Sequence, residues 1–443
     1  MQRSARILVI EDTEPGGKSL AEGLRRLGFA SNGMTPAHIG NSIETGGHRP
    51  DIVLVDAKHA DTSEAHTPTR KLLDLARAAD IPTLLVGADA QMAESHAAEA
   101  WKEIVIGAVA PAYLAGRIAA LMRLEAMRTE LERRIQTSAR YGVDAPPHVS
   151  RPQSVEDANV LVLGAGAEFG AVEDAISSSA SIVGALSPTM ALDYLRTHPF
   201  DCVIADMTIG FETVCEFAQD LRRDSRFFAL PLLLIGAPGE PGWLEAAYAS
   251  GVTEVVPVPV NSRSLRERIF AMVREDRFRD NMKQVYRYAR HMATGDALTG
   301  LYARGFMMEH LTGLLNLPVA QRPLFSVGVF SIRNMAALNA EFGYAAGDRV
   351  IRHVGMAIAN LVRGEDLAAR YEGPRYTILF IGASSDEAQA AARRLMSFVN
   401  LTEFAVPGLS HPVRVELAGA LAAPGPKDDA ESIVHRAAAA VRT

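Results

Sequence analysis

The chain has 443 residues, of which 48% are hydrophobic and 22% charged, so about three domains can each bury a core. Its net charge of −7 argues against general binding to nucleic acid or to a membrane surface. No apolar run reaches the ~20 residues that a membrane helix needs, and no signal peptide is visible, so we expect a cytoplasmic protein without membrane insertion.

Residues 1–140 alternate short apolar runs with amphipathic helical segments. The predicted strands lie in "ARILVIED", "DIVLVDAKHAD", "PTLLVGA" and "EIVIGAVA", and a long helix follows in "RIAALMRLEAMRTELERRIQ". This alternation predicts a doubly wound parallel sheet of the flavodoxin-like kind. Residues 141–155 contain Pro, Ser and Gly and are interpreted as a linker.

Residues 156–290 repeat the same pattern on the scale of a whole domain. "ANVLVLGAG", "FDCVIADMTIG", "LPLLLIGAPGE" and "TEVVPVPVNSRSLRERI" correspond in order to the four strand segments of the first unit. A repeat of this length predicts a second doubly wound sheet. It ends in a long polar helix from about Ser262 to Ala293, which we expect to act as a stalk.

Residues 291–443 have a different order of elements. The strand "FSVGVFSIR", the hairpin "AARYEGPRYTILF" and the strand "VRVELAGAL" are separated by helical segments. The outline is βααββαβ, which predicts an α+β domain. We therefore expect a multidomain α/β protein with two flavodoxin-like domains followed by an α+β domain.

Cysteine and histidine are used sparingly. Cys202 and Cys215 are the only cysteines and form no CxxC pair, and the twelve histidines are scattered. This suits a reducing compartment. We expect no disulfide, no metal site built on these residues and no cofactor.

The first unit resembles the receiver domains of response regulators. That family places two acids after the first strand to hold Mg²⁺, a phosphoacceptor Asp after the third, a hydroxyl after the fourth and a Lys-Pro after the fifth. Here Glu11, Asp12 and Asp56 are kept, but Gly87 replaces the hydroxyl and Ala110-Pro111 replaces Lys-Pro. Asp56 is a candidate phosphoacceptor, or simply a loop residue at a strand end.

The second unit resembles a receiver domain that has lost more of the pattern. Only Asp206 survives, and the other positions are occupied by Gly164, Ala165, Gly236 and Val258. Asp206 is therefore a candidate phosphoacceptor with less support than Asp56. We expect both degenerate receivers to serve packing, dimerisation and contact with partners, which makes a homodimer the expected assembly.

The third unit resembles the GGDEF domain of diguanylate cyclases, through "DALTGLYAR", "FGYAAGD" and "RYEGPRY". With two receivers, the layout resembles response regulators of the PleD lineage. Active members condense two GTP into cyclic di-GMP with metals held by carboxylates. Ser331 and Arg333 replace the two strand acids, and a metal-binding acid of the signature is replaced in the run Glu372, Gly373, Pro374, Arg375 and Tyr376. The resemblance implies a degenerate cyclase that is not an enzyme.

Two polar residues of the substrate pocket are retained. Asn339 and Asp348 match the family residues that bind the guanine base, so residual GTP binding is a hypothesis. The alternative is that Asn339 caps a helix and Asp348 is a surface acid.

The stretch "RGED" matches the inhibitory ligand site of the family. An Arg-x-x-Asp lies five residues before the signature, and here Arg363, Gly364, Glu365 and Asp366 keep that spacing. Arg can donate two hydrogen bonds to a guanine edge or a phosphate, and Asp366 can accept from guanine N1–H. Arg394 matches the second arginine of the family site. The alternative is an exposed ion pair of little energetic value.

These residues predict a receptor for cyclic di-GMP that signals by recruiting proteins. By resemblance, its partners are polar localisation factors and a proteolysis adaptor at the cell pole, in cell-cycle-regulated proteolysis by ClpXP. Three alternatives stay open: a weakly active cyclase, a GTP sensor and a scaffold indifferent to nucleotides.

Overall fold

The structure is a computed structural model, and it describes residues 3–11, 19–36, 50–59, 68–78, 81–88, 103–106, 111–143, 155–166, 168–224, 226–236, 242–258, 262–291, 294–318, 322–406 and 411–441. The chain forms two compact units. The first contains residues 1–122 and 151–278, and the C-terminal unit contains residues 123–150 and 279–443. No helix in the described ranges is long and apolar enough to cross a membrane.

Residues 1–122, the N-terminal part of the first compact unit, form a parallel five-stranded sheet of order β2-β1-β3-β4-β5. This is the flavodoxin-like order, which the alternation of strands and helices predicted. Its strands are β1 (Arg3–Ile10), β2 (Phe29–Met34), β3 (Ile52–Asp56), β4 (Thr83–Ala88) and β5 (Glu103–Ile106). Its helices are α1 (Leu20–Arg26), α2 (Pro68–Ala78) and the start of the long α3 (Pro111–Ala139).

The second half of the first unit repeats this sheet with the order β7-β6-β8-β9-β10, again with parallel strands only. The internal repeat predicted from the sequence is therefore confirmed at the level of topology. Its strands are β6 (Ala158–Leu163), β7 (Ala180–Ala185), β8 (Cys202–Asp206), β9 (Leu232–Gly236) and β10 (Glu254–Pro257). Its helices are α4 (Glu168–Ile176), α5 (Pro188–Thr197), α6 (Phe211–Arg223), α7 (Trp243–Ser250) and α8 (Ser262–His291).

The C-terminal unit has a mixed five-stranded sheet of order β11-β13-β14-β12-β17, in which only β11 and β13 pair in parallel. The predicted βααββαβ outline is present. The strands are β11 (Tyr302–Ala303), β12 (Phe325–Ile332), β13 (Leu367–Glu372), β14 (Arg375–Ile381), the small pair β15 (Glu403–Phe404) and β16 (Val413–Arg414), and β17 (Leu417–Ala422). The helices are α9 (Arg304–Leu315), α10 (Met335–Phe342), α11 (Tyr344–Leu361), α12 (Ser385–Leu401) and α13 (Ala430–Ala440).

Local signals explain several helix ends in this unit. Ser384 begins α12 with a capping box, in which its hydroxyl accepts from the Glu387 amide and the Glu387 carboxylate accepts from the Ser384 amide. Gly343 separates α10 from α11 with φ +80°, a left-handed conformation that favours glycine. Two buried clusters cover the sheet, one with α10, α11 and α12 and the other with α9 and α13.

Candidate ligand-binding site

The "RGED" segment lies between α11 and β13 and forms a closed turn. The backbone amide of Arg363 donates to Oδ2 of Asp366 at 3.0 Å, and the amide of Asp366 donates back to the Arg363 carbonyl at 3.2 Å. Oδ1 of Asp366 accepts from the amide of Ile381, at the end of β14, at 3.2 Å. The Arg-x-x-Asp spacing is therefore the spacing of a turn whose acid is tied to the central sheet.

The side chain of Arg363 is half-buried and makes no hydrogen bond or ion pair with any residue that the structure describes. This distinguishes it from the exposed ion pair with Asp366 that was the alternative interpretation. Its guanidinium keeps five N–H donors in a planar fork. It can therefore donate to a guanine edge or a phosphate without breaking a described internal contact.

Two acids of this turn are buried next to each other. Asp366 is 6% exposed and Glu365 is 2% exposed. Burial raises the pKa of the Asp366 carboxyl and the charge of Glu365 raises it further, from 3.8 to about 7. The backbone hydrogen bond from Arg363 and the charge of its side chain oppose this rise. Burying two carboxyls together favours protonation of one of them.

The raised pKa of Asp366 predicts a pH-dependent stability of the C-terminal unit. Between pH 3.8 and about 7 the folded protein holds a proton that the unfolded chain has released. We expect the free energy of unfolding to be highest at the acidic end of this window and to fall as pH rises through 7. Denaturant unfolding at several pH values should show this slope. Asp366→Asn should flatten it, whereas Asp348→Asn, at an exposed acid on α11, should leave it unchanged.

Arg394 lies on α12 and is exposed. The described residues show no hydrogen bond or ion pair between Arg394 and the "RGED" turn. That Arg394 and Arg363 bind one ligand therefore stays a prediction.

The signature hairpin joins β13 to β14 through Gly373 and Pro374, with Gly373 at φ +48°. Arg375 forms an ion pair with Glu372 at 2.8 Å. The Tyr376 side chain is fully buried, and its hydroxyl donates to the Ile351 carbonyl at 2.7 Å. The hairpin is thus held by its own internal contacts.

The neighbouring strand supplies no carboxylate to this hairpin. Ser331 faces Arg375 in the β12–β14 register, and the Pro374 carbonyl accepts from the Ile332 amide at 3.2 Å. Arg333 is exposed beyond the strand end. Across the described ranges, no group of three or more His, Cys, Asp or Glu side chains could hold a metal ion. We find in this hairpin no set of side chains that could chelate the metals of a triphosphate.

Asn339 and Asp348, which match guanine-binding positions of the family, lie on the two neighbouring helices α10 and α11. Asn339, on α10, has a buried Oδ1 without a partner among the described residues. A Cβ added to Gly347, on α11, would lie 2.0 Å from that oxygen, so the Asn339 side chain packs directly against the backbone of Gly347. Asp348 follows Gly347 and is exposed. Asn339 therefore does not cap a helix, since its side chain oxygen accepts no described amide.

Glu11, the first acid of the receiver pattern, accepts hydrogen bonds from the start of the helix that follows its strand. The Glu11 carboxylate accepts from the Ser19 hydroxyl at 2.6 Å and from the amides of Leu20 and Ala21 at 2.7 and 3.2 Å. It therefore caps the start of α1, where an acid also interacts favourably with the helix dipole. Asp56 is half-buried at the end of β3, and its Oδ1 accepts from the Lys58 amide at 3.0 Å.

Two residues of the receiver pattern, Asp12 and Ala110, lie outside the described residues. Gly87 and Pro111 are described, and Gly87 is exposed with φ +83°. Phosphorylation of Asp56 therefore stays a prediction.

The corresponding acid of the second sheet is enclosed. Asp206 is 3% exposed, its Oδ1 accepts from the Thr208 amide at 2.9 Å, and its Oδ2 is buried without a described partner. A Cβ at Gly166 would lie 2.2 Å from that Oδ2, so the glycine backbone covers the carboxylate. Met207 packs against Gly236, where a Cβ would lie 2.4 Å from the Met207 Cβ. Ala165 is exposed, and Val258 packs against the core of this sheet.

A buried polar network beside the "RGED" turn is absent from the sequence predictions. Glu130 and Arg134 of α3 form an ion pair at 2.8 Å, and His310 of α9 lies 3.0 Å from the same Glu130 oxygen. Burial would raise the pKa of Glu130, but the charges of His310 and Arg134 and hydrogen bonds from both hold it at about 2. The polar sequence "RTELERRIQ" is typical of a solvated helix, so no signal in the sequence separates these residues from their exposed neighbours.

Comparison with known proteins finds a family match in the C-terminal part of the chain. The family model described as "Diguanylate cyclase, GGDEF domain" matches residues 293–443. The C-terminal domain is a GGDEF domain. The turn that carries Arg363 and Asp366, and the hairpin that carries Pro374, both lie inside this GGDEF domain.

The similarity extends beyond the GGDEF domain. The chain is 24% identical over 454 aligned residues to the response regulator PleD of Caulobacter vibrioides, covering 98% of this chain and 95% of PleD. A crystal structure of the GGDEF domain of DgcB from Caulobacter crescentus in complex with c-di-GMP is 22% identical and covers 34% of this chain and 89% of that one, with a TM-score of 0.33. The FimX GGDEF domain from Pseudomonas aeruginosa is 22% identical, with 34% and 94% covered and a TM-score of 0.32.

Proposed function

We propose that this protein is a non-catalytic cyclic di-GMP receptor that binds the dinucleotide at the "RGED" turn of its GGDEF domain. The observation that carries the proposal is the guanidinium of Arg363, half-buried beside Asp366 and without a hydrogen bond or ion pair among the described residues. Arg363 binds a guanine edge or a phosphate of the ligand, and Arg394 supplies the second arginine. Each oxygen of Asp366 already accepts one backbone amide, so guanine N1–H donates to the remaining lone pair of one of them, a contact that adenine cannot make.

The same domain is proposed not to be a cyclase. Cyclisation of GTP needs carboxylates that hold metal ions against the triphosphate. Ser331 and Pro374 occupy the positions where the family has such acids, and Glu372 is paired with Arg375. Ligand binding therefore has to act through protein contacts rather than through turnover.

The readout that we propose is recruitment of protein partners by a homodimer. Ligand binding favours one arrangement of the domains to the extent that it binds that arrangement more tightly. The two receiver-like domains, "EGPRY" and "RGED" together resemble PopA, a cell-cycle effector. The resemblance implies placement in the cytoplasm at the cell pole and recruitment of a proteolysis adaptor for ClpXP.

A second candidate function is GTP sensing through the vestigial substrate pocket. It is favoured by the buried, unpartnered Oδ1 of Asn339, which could accept from a guanine. A GTP sensor would bind GTP with Asn339 and Asp348, independently of Arg363. A nucleotide-independent scaffold would bind neither nucleotide.

Competition binding separates these functions. A fluorescent cyclic di-GMP analogue bound to the full-length protein is displaced by unlabelled cyclic di-GMP, GTP or cyclic di-AMP. We expect displacement by cyclic di-GMP alone, because Asp366 discriminates against adenine and the "RGED" turn is separate from Asn339. Displacement by GTP at a similar concentration would favour the GTP sensor, and no binding of the probe would favour the scaffold.

A further inference from the structure

The segment of α3 from residue 123 to residue 139, called here the α3 segment, packs within the C-terminal unit against the "RGED" turn. Leu124, Met127 and Leu131 of this segment are buried, and the Ala126 Cβ lies 3.9 Å from the position of a Cβ on Gly382. Gly382 directly follows Ile381, whose amide binds Asp366. The α3 segment therefore packs against the part of the sheet to which the turn is tied.

Arg134 makes the polar contact between the α3 segment and the turn. One nitrogen of its guanidinium donates to the Glu365 carbonyl at 2.6 Å and another lies 3.5 Å from the Gly364 carbonyl. Arg134 is 2% exposed, so water does not compete for these contacts. A charged donor in a buried site makes stronger hydrogen bonds than a neutral one. The two middle residues of "RGED" are thus held through their backbone.

Arg134 is itself held by Glu130 and by the ring of Tyr302, and His310 and Thr137 extend this network. Its Nε donates to Glu130 at 2.8 Å, and Glu130 lies 3.0 Å from Nε2 of His310. The other ring nitrogen of His310 is 3.1 Å from the Thr137 hydroxyl, and the Arg134 guanidinium lies 5.7 Å from the centroid of the Tyr302 ring. A guanidinium held this rigidly can position a turn without a large entropic loss.

A second arginine of the α3 segment reaches the side chain of the same turn. Arg123 Nε lies 3.2 Å from Oε1 of Glu365, whereas Oε2 of Glu365 is buried without a described partner. A buried carboxylate with one cation is costly to leave alone. Removal of the α3 segment would therefore leave the backbone carbonyls of Gly364 and Glu365, and the carboxylate of Glu365, without their present partners.

We propose that the α3 segment is an intramolecular regulator of the ligand site, with Arg134 as its positioning residue. The inference rests on the proposed binding of cyclic di-GMP at "RGED". The contacts of Arg134 hold the turn in the conformation that leaves the Arg363 guanidinium free of described internal partners. Because linkage is reciprocal, a ligand that binds this conformation also stabilises the docking of the α3 segment.

The test compares Arg134→Ala with Glu132→Gln in the full-length protein. Glu132 is an exposed residue of the same helix that pairs with Arg128. We expect Arg134→Ala to weaken cyclic di-GMP binding about tenfold, since it removes charge-assisted hydrogen bonds that position the turn. Arg134→Lys should show an intermediate affinity, and Glu132→Gln should bind like the wild type.

Hydrogen exchange on the wild type provides a second test, which remains valid even if Arg134→Ala fails to fold. Addition of cyclic di-GMP should slow exchange in residues 123–139 as well as in residues 363–382. A wild type that binds the ligand without protecting residues 123–139, or an Arg134→Ala protein of unchanged affinity, would overturn this inference and leave the proposed function intact. No binding by the wild type would overturn both.

Discussion

Arg363→Ala is expected to weaken the binding of cyclic di-GMP by roughly 100-fold or more. Two hydrogen bonds from a guanidinium to a guanine edge or a phosphate are each worth about 1.5–3 kcal/mol, and 1.4 kcal/mol corresponds to a factor of ten in affinity. Arg363→Lys keeps the charge but loses the planar fork, so it should recover only part of the affinity. Calorimetric titration of each purified variant measures the effect.

The loss should come from the ligand contact and not from unfolding. The Arg363 side chain makes no described hydrogen bond and acts on Asp366 only through its charge, so we expect its removal to change the free energy of unfolding by about 1 kcal/mol or less. Arg414→Ala is the matched control, because Arg414 belongs to the same unit and its side chain is 79% exposed. A full affinity in Arg363→Ala would place the ligand elsewhere on the molecule.

The second large effect is the absence of cyclase turnover. Metal ions supply several kcal/mol of transition-state stabilisation in phosphoryl transfer, so we expect cyclic di-GMP formation roughly 10⁴-fold or more below that of an active GGDEF cyclase. The assay incubates the full-length protein with GTP and either Mg²⁺ or Mn²⁺, at protein concentrations equal to those of an active cyclase run beside it.

Metal-dependent formation of cyclic di-GMP would contradict this expectation. The activity would have to be lost in a variant of this protein that cannot bind GTP, which shows that it belongs to this protein. Asn339→Ala is suited to this control, because Asn339 matches a guanine-binding position of the family, its Oδ1 is buried without a described partner, and it lies outside the "RGED" turn. Product that persists in Asn339→Ala would instead indicate a contaminating cyclase.

The sequence predicts the topology well because its signals are local. Apolar strands that alternate with amphipathic helices produce both parallel sheets, and Gly373 and Pro374 mark the turn of the hairpin. The spacing of "RGED" also predicts which residues share the turn. The spacing does not predict that Asp366 is buried. Its carboxylate is bound by the Ile381 amide, which comes 15 positions later at the end of β14.

Contacts between residues far apart in the chain explain what the sequence could not show. Arg134 and Glu365 are 231 positions apart. Arg134 also lies in a polar helix in which exposed and buried positions carry the same types of charged residue, so its burial cannot be read from the sequence. Glu11 illustrates the same limit for the first sheet. The sequence places Glu11 directly after a strand, but it does not show that the amides of Leu20 and Ala21, 9 and 10 positions later, bind its carboxylate as a helix cap.

The central claim is that the GGDEF domain of this protein binds cyclic di-GMP without converting GTP. Calorimetric titration of cyclic di-GMP into the full-length wild-type protein tests it most directly. We expect micromolar or tighter binding, with about two ligand molecules for each "RGED" site, since the resemblance to the family site implies that the dinucleotide binds there as a stacked pair. Absence of binding heat at any ligand concentration tested would contradict it and would leave the protein as a scaffold indifferent to nucleotides.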